Sequence, residues 1–394
     1  MAVRTMMAWG VLAVALVAFP ASTPHAQTPP ATVLETPALQ AIVLDGETGA
    51  VLFEKSADEP FPPASLAKLM TLELAFRALE TGLVSPDTAY RVSENAWRTG
   101  GAPSRTSTMF AEVRSNVPVD ALVRGVAIQQ ANDASIILAE GMEGTEGAFV
   151  QAMNERAAEL GLASSRFVNA TGLPAEGQQI TARDIARLGR HLNLAYPAWY
   201  ALFAEPEFTW NGIRQRNRNP LLGLNIGATG VATGFAEGAG YAILGSAEGD
   251  GRTTFVALGG LADERVRSRE AARVLDWAKT TFDQRSLFAE GASVGRALVY
   301  GGTRPDVAVR TDREVVAMVP RNAPQLVSGA VVYDAPLRAP IAAGERVGQL
   351  EIRLAGRPSI VQDVFASEDV PEGTFTARAL GAAQELAFGW IRAL

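Results

Sequence analysis

Cysteine is absent from this chain of 394 residues, and histidine occurs only twice. The lack of cysteine excludes a thiol nucleophile and disulfide bonds. Because His25 lies in a segment with the layout of a signal peptide, a Ser-His-Asp triad would depend on His191 alone. We expect His191 to be an ordinary residue near a helix end. With no cysteine or second histidine beside it, the sequence predicts neither a metal site nor a cofactor.

Lysine is also scarce: Lys55, Lys68 and Lys279 are the only three among 35 basic residues. Arginine keeps its proton at neutral pH, whereas a desolvated lysine can release it. Lys68 follows Ser65 by three residues, so a helix that begins there places both side chains on one face. The pair is a candidate nucleophile with its base. The spacing alone arises by chance with a probability of about 0.1–0.2, and the alternative is that Ser65 caps a helix while Lys68 points into water.

The charge balance and the amino terminus indicate the compartment. With 42 acidic against 35 basic residues, the net charge of −7 argues against a nucleic-acid partner. Residues 1–26 have a positive start, an apolar core and small residues at the end, which predicts an export signal, and a flexible leader follows over residues 27–37. A retained membrane anchor is the alternative, although the apolar run is short for one. We therefore expect a periplasmic protein.

The region after the leader mixes strands and helices. Apolar runs around a glycine-bearing turn predict a β-hairpin over residues 41–53, and a helix is expected to begin at Ser65. Residues 129–133 (Gln-Gln-Ala-Asn-Asp) interrupt an otherwise apolar helical stretch. They are either a loop between two helices or the lining of a cleft, and in a third interpretation Asn132 and Asp133 cap the next helix.

The carboxyl-terminal part has a different pattern. Over residues 284–371, short Val, Leu and Ile runs separated by Gly and Pro predict a small all-β domain with a spacer or docking role. Residues 372–394 are apolar at the period of a helix. Such an amphipathic helix either lies in the surface of the inner membrane or packs on the β domain, and Trp390 together with the terminal position favours the membrane.

These segments together resemble the low-molecular-mass penicillin-binding proteins, the serine D-alanyl-D-alanine carboxypeptidases of peptidoglycan maturation. The resemblance covers almost the whole chain and includes the late hairpin. It implies an α+β fold, in which a β-lactamase/transpeptidase-like domain over residues 38–283 has an antiparallel sheet flanked by helices and an all-helical lobe, followed by the β domain. The segments that carry it are Pro-Pro-Ala-Ser-Leu-Ala-Lys-Leu-Met-Thr at 62–71, Asn-Asp-Ala at 132–134 and Phe-Val-Asn-Ala-Thr-Gly at 167–172.

The resemblance also implies roles for individual residues. Ser65 would attack the carbonyl carbon between two D-alanines, with Lys68 as its base and Asn132 as a third catalytic residue. Backbone N–H groups of Ser65 and of the late strand would form the oxyanion hole. The implied partners are peptidoglycan stem peptides that end in D-Ala-D-Ala and β-lactam antibiotics. The implied substrate-binding residues are Thr233, Gly234 and Arg252, the last for the terminal carboxylate.

Two of the three family motifs, S-x-x-K, S-x-N and K-T-G, are altered in this chain. Gln130 stands where the second motif has serine, and Ala232 stands where the third has lysine. Glutamine cannot relay a proton, and such help is worth about 10²–10⁴ in rate. The alternatives are a carboxypeptidase with slowed turnover and a non-catalytic homologue that binds peptidoglycan or a cell-wall partner; the intact Ser65–Lys68 pair favours the enzyme. A β-lactamase-like hydrolase is less favoured because no deacylating carboxylate can be assigned.

Overall fold

The structure is a computed structural model that describes residues 34–376, 378 and 379. The predicted export signal at residues 1–26 lies outside the described residues, as does most of the predicted helix at residues 372–394. Within the described ranges, no helix combines the length and the apolar character that a membrane crossing requires.

The first domain mixes strands and helices, as the sequence predicts. Its strands are β1 (Gln40–Asp45), β2 (Val51–Lys55), β3 (Ala89–Arg91), β4 (Asn116–Pro118), β5 (Glu207–Trp210), β6 (Ile213–Arg216), β7 (Ala228–Ala236), β8 (Gly240–Gly249) and β9 (Arg252–Leu261). Its α-helices are α1 (Lys68–Glu80), α2 (Glu94–Thr99), α3 (Val119–Gln129), α4 (Asn132–Glu143), α5 (Glu146–Glu159), α6 (Ala182–Ala195), α7 (Pro197–Tyr200) and α8 (Glu264–Thr281).

An antiparallel sheet with the strand order β2-β1-β9-β8-β7 organises this domain. Alternate residues of a strand point to opposite faces, so an apolar strand can serve two cores. Ile42 and Leu44 of β1 pack with the helices that include α1 and α6, whereas Ala41 and Val43 pack with α8. The predicted antiparallel sheet between helices is confirmed, and β7 lies at one edge of it.

The predicted helical stretch over residues 120–140 is two helices, α3 and α4, that meet at Gln130 and Ala131. Gln130 has a φ of 56°, the left-handed conformation that commonly ends a helix. Ala131 occupies the N-cap of α4, and no side chain caps that end. The interpretation of Asn132 and Asp133 as capping residues is therefore wrong, and both side chains are buried.

Helix α8 ends at Thr281, and the chain enters an all-β part at Phe282. Its larger sheet has the order β14-β16-β17-β12-β11-β15, and β10 pairs with β13. The predicted small all-β domain is confirmed. Its strands are β10 (Phe282–Phe288), β11 (Ser293–Tyr300), β12 (Asp306–Arg310), β13 (Val315–Pro320), β14 (Val327–Val332), β15 (Leu337–Arg338), β16 (Arg346–Leu354) and β17 (Arg357–Ala366).

The end of the predicted leader is part of the folded domain. Leu34 is buried and packs with the cluster that contains α8. The guanidinium of Arg273 on α8 also donates to the carbonyl of Glu35 at 2.6 Å. An apolar residue and a backbone hydrogen bond therefore hold the chain before β1 against the helix, in a segment whose Pro/Thr-rich composition suggested flexibility.

Candidate active site

Ser65 lies in a short 3-10 turn, Ala64–Ala67, that leads directly into α1. The preceding Ala64 has a φ of 47°, a left-handed conformation that costs a residue with a side chain about 1–2 kcal/mol. The N–H of Leu66 donates to the carbonyl of Pro63 at 3.1 Å and closes this turn. The strained turn delivers Ser65 to the start of the helix, one turn ahead of Lys68.

Lys68 is buried, and its Nζ lies 3.1 Å from Ser65 Oγ. The same Nζ donates to the backbone carbonyl of Thr171. The pKa of Lys68 is lowered from 10.5 to about 7, chiefly by burial and secondly by the positive charge of Arg218, while the charge of Asp133 opposes both. Near neutral pH, about half of these amines carry no proton. A neutral amine within reach of a serine hydroxyl can act as its general base.

The Phe-Val-Asn-Ala-Thr-Gly segment holds this pair in place. Asn169 Oδ1 accepts from the N–H groups of Thr171 and Gly172 at 3.2 and 2.7 Å, which folds the segment into a tight loop. Gly172 packs directly on the strained turn: a Cβ there would lie 1.7 Å from the carbonyl oxygen of Ala64. On their own, the residues of this segment predict only a loop. The structure makes it the backbone support of Lys68.

The opposite wall of the cleft begins at Gln130, between α3 and α4. Its Oε1 accepts from the Thr233 hydroxyl of β7 at 3.4 Å, so the second and third motif positions touch each other. Both side chains are largely buried. The amide at the second motif position is therefore hydrogen-bonded to the strand, and it has no hydroxyl proton to transfer.

Asn132 is the first residue of α4, and it carries an unused acceptor. Its Nδ2 donates to Thr106 Oγ1 at 2.8 Å, while its Oδ1 is buried and has no hydrogen-bond partner in the described part of the chain. Buried acceptors are nearly always paired in native proteins. An orphaned oxygen beside the second motif is therefore a candidate for an N–H donated by a bound peptide.

Asp133 fastens the loop that precedes the second motif. Its carboxylate accepts from the Thr108 hydroxyl at 2.6 Å and from the N–H groups of Met109 and Ala111 at 2.9 and 3.1 Å. Burial raises the pKa of Asp133, while these hydrogen bonds act against that rise. The residue positions the loop and thereby Thr106, the partner of Asn132.

Strand β7 brings Thr233 and Gly234 to the cleft. A Cβ on Gly234 would lie 2.9 Å from the carbonyl oxygen of Pro63, so the glycine allows close approach to the Ser65 turn. Ala232 is buried in the apolar cluster and brings no charge. Among the residues that the structure describes, β7 is an edge strand with no neighbouring strand on one side of its backbone, which is the arrangement that binds extended peptides.

Arg218 supplies a positive charge that the sequence analysis missed. Its backbone N–H donates to the carbonyl of Ile128 at 3.0 Å, which places it beside Gln130, and its charge is the second cause of the lowered pKa of Lys68. In the described ranges, no carboxylate lies within 4 Å of its guanidinium. The arginines at residues 214–218 suggest only a basic turn in the sequence, and this prediction is wrong, because strand β6 runs through Arg216. No spacing rule links Arg218 to the motifs.

The prediction that Arg252 contacts the substrate carboxylate is wrong. Arg252 pairs with Gly249 of β8, six residues beyond Ile243, the partner of Thr233, which is about 20 Å along the strand. Its guanidinium is buried between the domains, where it contacts Met318 Sδ and the carbonyl of Phe282 at 3.4 Å each and lies 3.9 Å from Asp45. The turn between β8 and β9 therefore places Arg252, the first residue of β9, at the end of the sheet that lies away from the cleft.

His191 belongs to a buried ionic cluster on the other side of α1. Its Nε2 lies 3.2 Å from Glu73 Oε2, and Arg156 and the Tyr196 hydroxyl donate to Glu73 Oε1 at 2.7 and 3.1 Å. Burial raises the pKa of Glu73, but the hydrogen bonds and charges of His191 and Arg156 outweigh it, and the net shift is downward. The cluster ties α1 to α5 and α6.

Two family models match this chain. Residues 24–260 match the model of D-alanyl-D-alanine carboxypeptidase, and residues 282–372 match that of the C-terminal domain of penicillin-binding protein 5. Curated relatives include the D-alanyl-D-alanine carboxypeptidases DacC and DacA of Escherichia coli. DacC is 36% identical over 88% of this chain and 88% of its own length, and DacA is 33% identical over 85% and 84%.

Solved structures agree with this assignment. Penicillin-binding protein 5 from Haemophilus influenzae superposes with a TM-score of 0.73 and 29% identity, over 86% of this chain and 99% of that one. Penicillin-binding protein D2 from Listeria monocytogenes, solved in the ampicillin-bound form, matches 62% of this chain and 98% of its own with a TM-score of 0.54 and 27% identity. The predicted resemblance is confirmed, and this chain belongs to the D-alanyl-D-alanine carboxypeptidase family.

Proposed function

We propose that this protein is a serine-type carboxypeptidase that removes the terminal D-alanine from peptidoglycan stem peptides through a Ser65 acyl-enzyme. The observation that carries the proposal is the distance of 3.1 Å between Ser65 Oγ and the Nζ of a buried Lys68 whose pKa is about 7. The family supports it, because the relatives named above carry this activity in their names.

Acylation follows from the position of the amine. Lys68 takes the Ser65 proton while Oγ attacks the carbonyl carbon between the two D-alanines, and the N–H groups of Ser65 and of the end of β7 hold the developing oxyanion. The C–N bond then breaks. The departing amine nitrogen takes a proton from the Lys68 ammonium, directly or through a water molecule, because Gln130 has no hydroxyl to pass it.

Deacylation reverses the proton transfers. Lys68 takes a proton from a water molecule whose oxygen attacks the ester carbonyl; the bond to Ser65 Oγ breaks, and Oγ recovers a proton from the lysine. Both half-reactions use the same base and return it to its starting state. Since the general acid step has lost a relay group, turnover is expected to be slower than in relatives with an intact second motif.

Three features position the substrate. The free side of β7 pairs with the substrate backbone, and the orphaned Oδ1 of Asn132 accepts one of its N–H groups. Arg218 binds the terminal carboxylate together with the Thr233 hydroxyl, which then donates to the carboxylate in place of Gln130. Arg218 thus takes over the anion-binding part of the role that lysine plays at position 232 in the family. β-Lactams would acylate the same serine, which the ampicillin-bound relative supports.

We further propose that the protein acts in the periplasm. The composition of residues 1–26 and the extracytoplasmic location of peptidoglycan support export. The amphipathic pattern of residues 372–394 supports a helix that attaches the protein to the inner membrane. Deletion of the chain after Glu372 is expected to release the protein from membranes in sedimentation experiments, and unchanged sedimentation would contradict the anchor.

Release of D-alanine from a synthetic peptide ending in L-Lys-D-Ala-D-Ala tests the enzymatic proposal. The mature protein is expected to release D-alanine in a time- and concentration-dependent manner, and the Ser65→Ala variant is expected to release none. If the wild-type protein forms a β-lactam adduct yet releases no D-alanine over days, turnover has been lost and the chain is a binding protein. Release that persists in Ser65→Ala would place the chemistry elsewhere.

A further inference from the structure

A second concave site lies in the β domain, away from the catalytic cleft. A groove of about 470 Å³ lies between the two-stranded sheet of β10 and β13 and strand β14 at the edge of the larger sheet. Its volume falls in the range of pockets that bind small molecules. Every described residue that lines it belongs to the β domain, so nothing in the proposed reaction uses it.

The groove is a place where the apolar core of the β domain reaches solvent. The large apolar side chains that line it are Leu287, Phe288, Val294, Val319, Val327, Val331, Leu350 and Ile352. Three of them are buried, and the other five pack against the core while part of their surface stays in contact with water. An apolar ligand that covers this surface is therefore stabilised by the hydrophobic effect.

A glycine in β14 makes room in the groove. Val327, Gly329 and Val331 share one face of the strand, and a Cβ on Gly329 would lie 3.3 Å from Ile352 Cδ1 of β16. The glycine position thus points toward the core. Because glycine brings no side chain to pack, the strand has a gap between the two valines at this point.

One cation lies at the groove. Among the described lining residues, Arg285 is the only charged one, and Ser328 is the only other with a polar side chain. Arg285 is exposed, and its one ion pair with a described residue is with Asp283, at 4.0 Å. Arg321 holds the same carboxylate at 2.8 Å. Arg285 therefore keeps most of its N–H donors for a ligand.

This combination determines the chemistry of the occupant. A peptide would place amide groups against apolar side chains, where unpaired N–H and C=O groups are costly. A small inorganic anion would contact Arg285 and leave the apolar lining in water. A hydrocarbon chain with an acidic head satisfies both parts, since the chain has no polar group to desolvate and the head pairs with the guanidinium.

We propose that this groove binds an anionic amphiphile with a single linear apolar chain. The chain fills the space beside Gly329, and a carboxylate or phosphate head contacts Arg285. The groove lies in the β domain and Ser65 in the first domain, so this binding does not depend on the carboxypeptidase activity.

Calorimetric titration of the full mature protein with octanoate, decanoate and dodecanoate, each below its micelle-forming concentration, tests this binding. We expect one chain per protein molecule and a dissociation constant that falls about fourfold for each added methylene. Gly329→Leu is expected to weaken dodecanoate binding by about tenfold or more, because the leucine side chain occupies the gap. The matched control is Gly147→Leu on α5, where nothing lies within 4 Å of the new Cβ, and it should leave binding unchanged.

Arg285→Gln tests the head group. Removing the charge should weaken decanoate binding by about two- to fivefold, since the arginine is exposed. Binding of decanol, which carries no charge, should stay the same. Tighter binding of decyl phosphate than of decanoate would identify the preferred head as a phosphate, and the reverse order would identify it as a carboxylate.

Four outcomes would overturn the proposal. The first is no binding of dodecanoate, or an affinity that does not change with chain length; this comparison needs no variant. The second is equal binding by Gly329→Leu and Gly147→Leu when both unfold at the wild-type temperature. The third is an equal loss of decanol and decanoate binding in Arg285→Gln. The fourth is binding that appears only after deletion of the chain beyond Glu372, which would make the protein's own carboxyl-terminal segment the occupant.

Discussion

The two walls of the catalytic cleft differ in how they follow the family pattern. On the Ser65 wall, both reactive side chains are present, and the Asn169–Gly172 loop supports them through backbone groups. On the facing wall, the two altered positions bring an amide and a methyl group, and Gln130 and Thr233 bond to each other. From this comparison we propose that the activation of Ser65 does not depend on a lysine in the facing strand.

The reason is the origin of the pKa of Lys68. Burial is the largest cause of its decrease, and the second is the charge of Arg218, which enters from a loop outside the three motifs. The charge of a lysine at position 232 is thus not required for a neutral base. The facing wall has no hydroxyl at position 130 to relay a proton, and we expect this to slow the departure of the leaving group more than the attack of Ser65.

Of the changes on the Ser65 wall, Lys68→Arg is expected to reduce the acylation of Ser65 most. Arginine keeps the charge and much of the length but cannot lose its proton, so it cannot act as a base. We expect the rate constant of acylation by a fluorescent penicillin to fall by about 10²- to 10⁴-fold in stopped-flow measurements. Acylation at the wild-type rate would show that another group activates Ser65.

Glu73→Gln tests whether Glu73, which lies on α1 together with Lys68, stabilises the fold. Removing one partner of a buried ion pair costs about 3–5 kcal/mol, so we expect a large loss of unfolding free energy in urea. The control is Glu159→Gln, which removes an exposed partner of the same Arg156 and should cost less than about 1 kcal/mol. Equal effects of the two variants would contradict a buried structural role.

The same cluster predicts an acid dependence of stability. The pKa of Glu73 is lower in the folded state than in the unfolded chain, so its contribution is complete above the unfolded value and is lost as pH falls through the folded value. The wild-type protein should lose stability over this acidic range. Glu73→Gln should lose less over the same range, because the titrating group is gone.

Gln130→Ser combined with Ala232→Lys would sharpen the comparison by restoring the facing wall. A hydroxyl relay and a carboxylate-binding ammonium should raise D-alanine release by about 10²-fold if the rest of the cleft is sound. The acylation rate should change less than turnover, since the wild-type base is already active. No gain in release would mean that the cleft has been rebuilt around Gln130 and Thr233.

The smallest expected effect is that of Arg218→Gln, which tests whether the positive charge of Arg218 lowers the pKa of Lys68. Acylation requires neutral Lys68, so its rate should rise with pH through a midpoint near 7 and fall away on the acidic side. Removing a nearby positive charge favours the protonated amine and should move the midpoint to higher pH. Arg216→Gln, two residues earlier and exposed, is the matched control. An unchanged midpoint in Arg218→Gln would show that the charge of Arg218 does not affect the protonation of Lys68.

Local patterns predicted individual elements of the fold, whereas the architecture of the first domain followed from the resemblance. Two apolar runs around a glycine-bearing turn predicted the first hairpin, and one of the interpretations of residues 129–133, a break between two helices, is confirmed by α3 and α4. The placement of Ser65 beside Lys68 followed from helical spacing. These features depend on neighbours in the chain, which a single sequence shows.

What escaped prediction depends on contacts between distant segments. The Thr171 carbonyl and Arg218 reach Lys68 from 103 and 150 residues away, and no period in the sequence links them. Arg252 was misplaced because its position in the sequence, at the start of a neighbouring strand, does not say which end of the hairpin faces the cleft. The antiparallel register of β7, β8 and β9 shows that Arg252 lies at the end away from the cleft.

The most direct test of the central claim is the intact mass of the mature protein after incubation with a fluorescent penicillin, with Ser65→Ala as the control. If Lys68 activates Ser65 as described, one penicillin adds per protein molecule, peptide mapping places it on Ser65, and the control stays unmodified. No adduct after hours at high penicillin, or an adduct that persists in Ser65→Ala, would contradict the account.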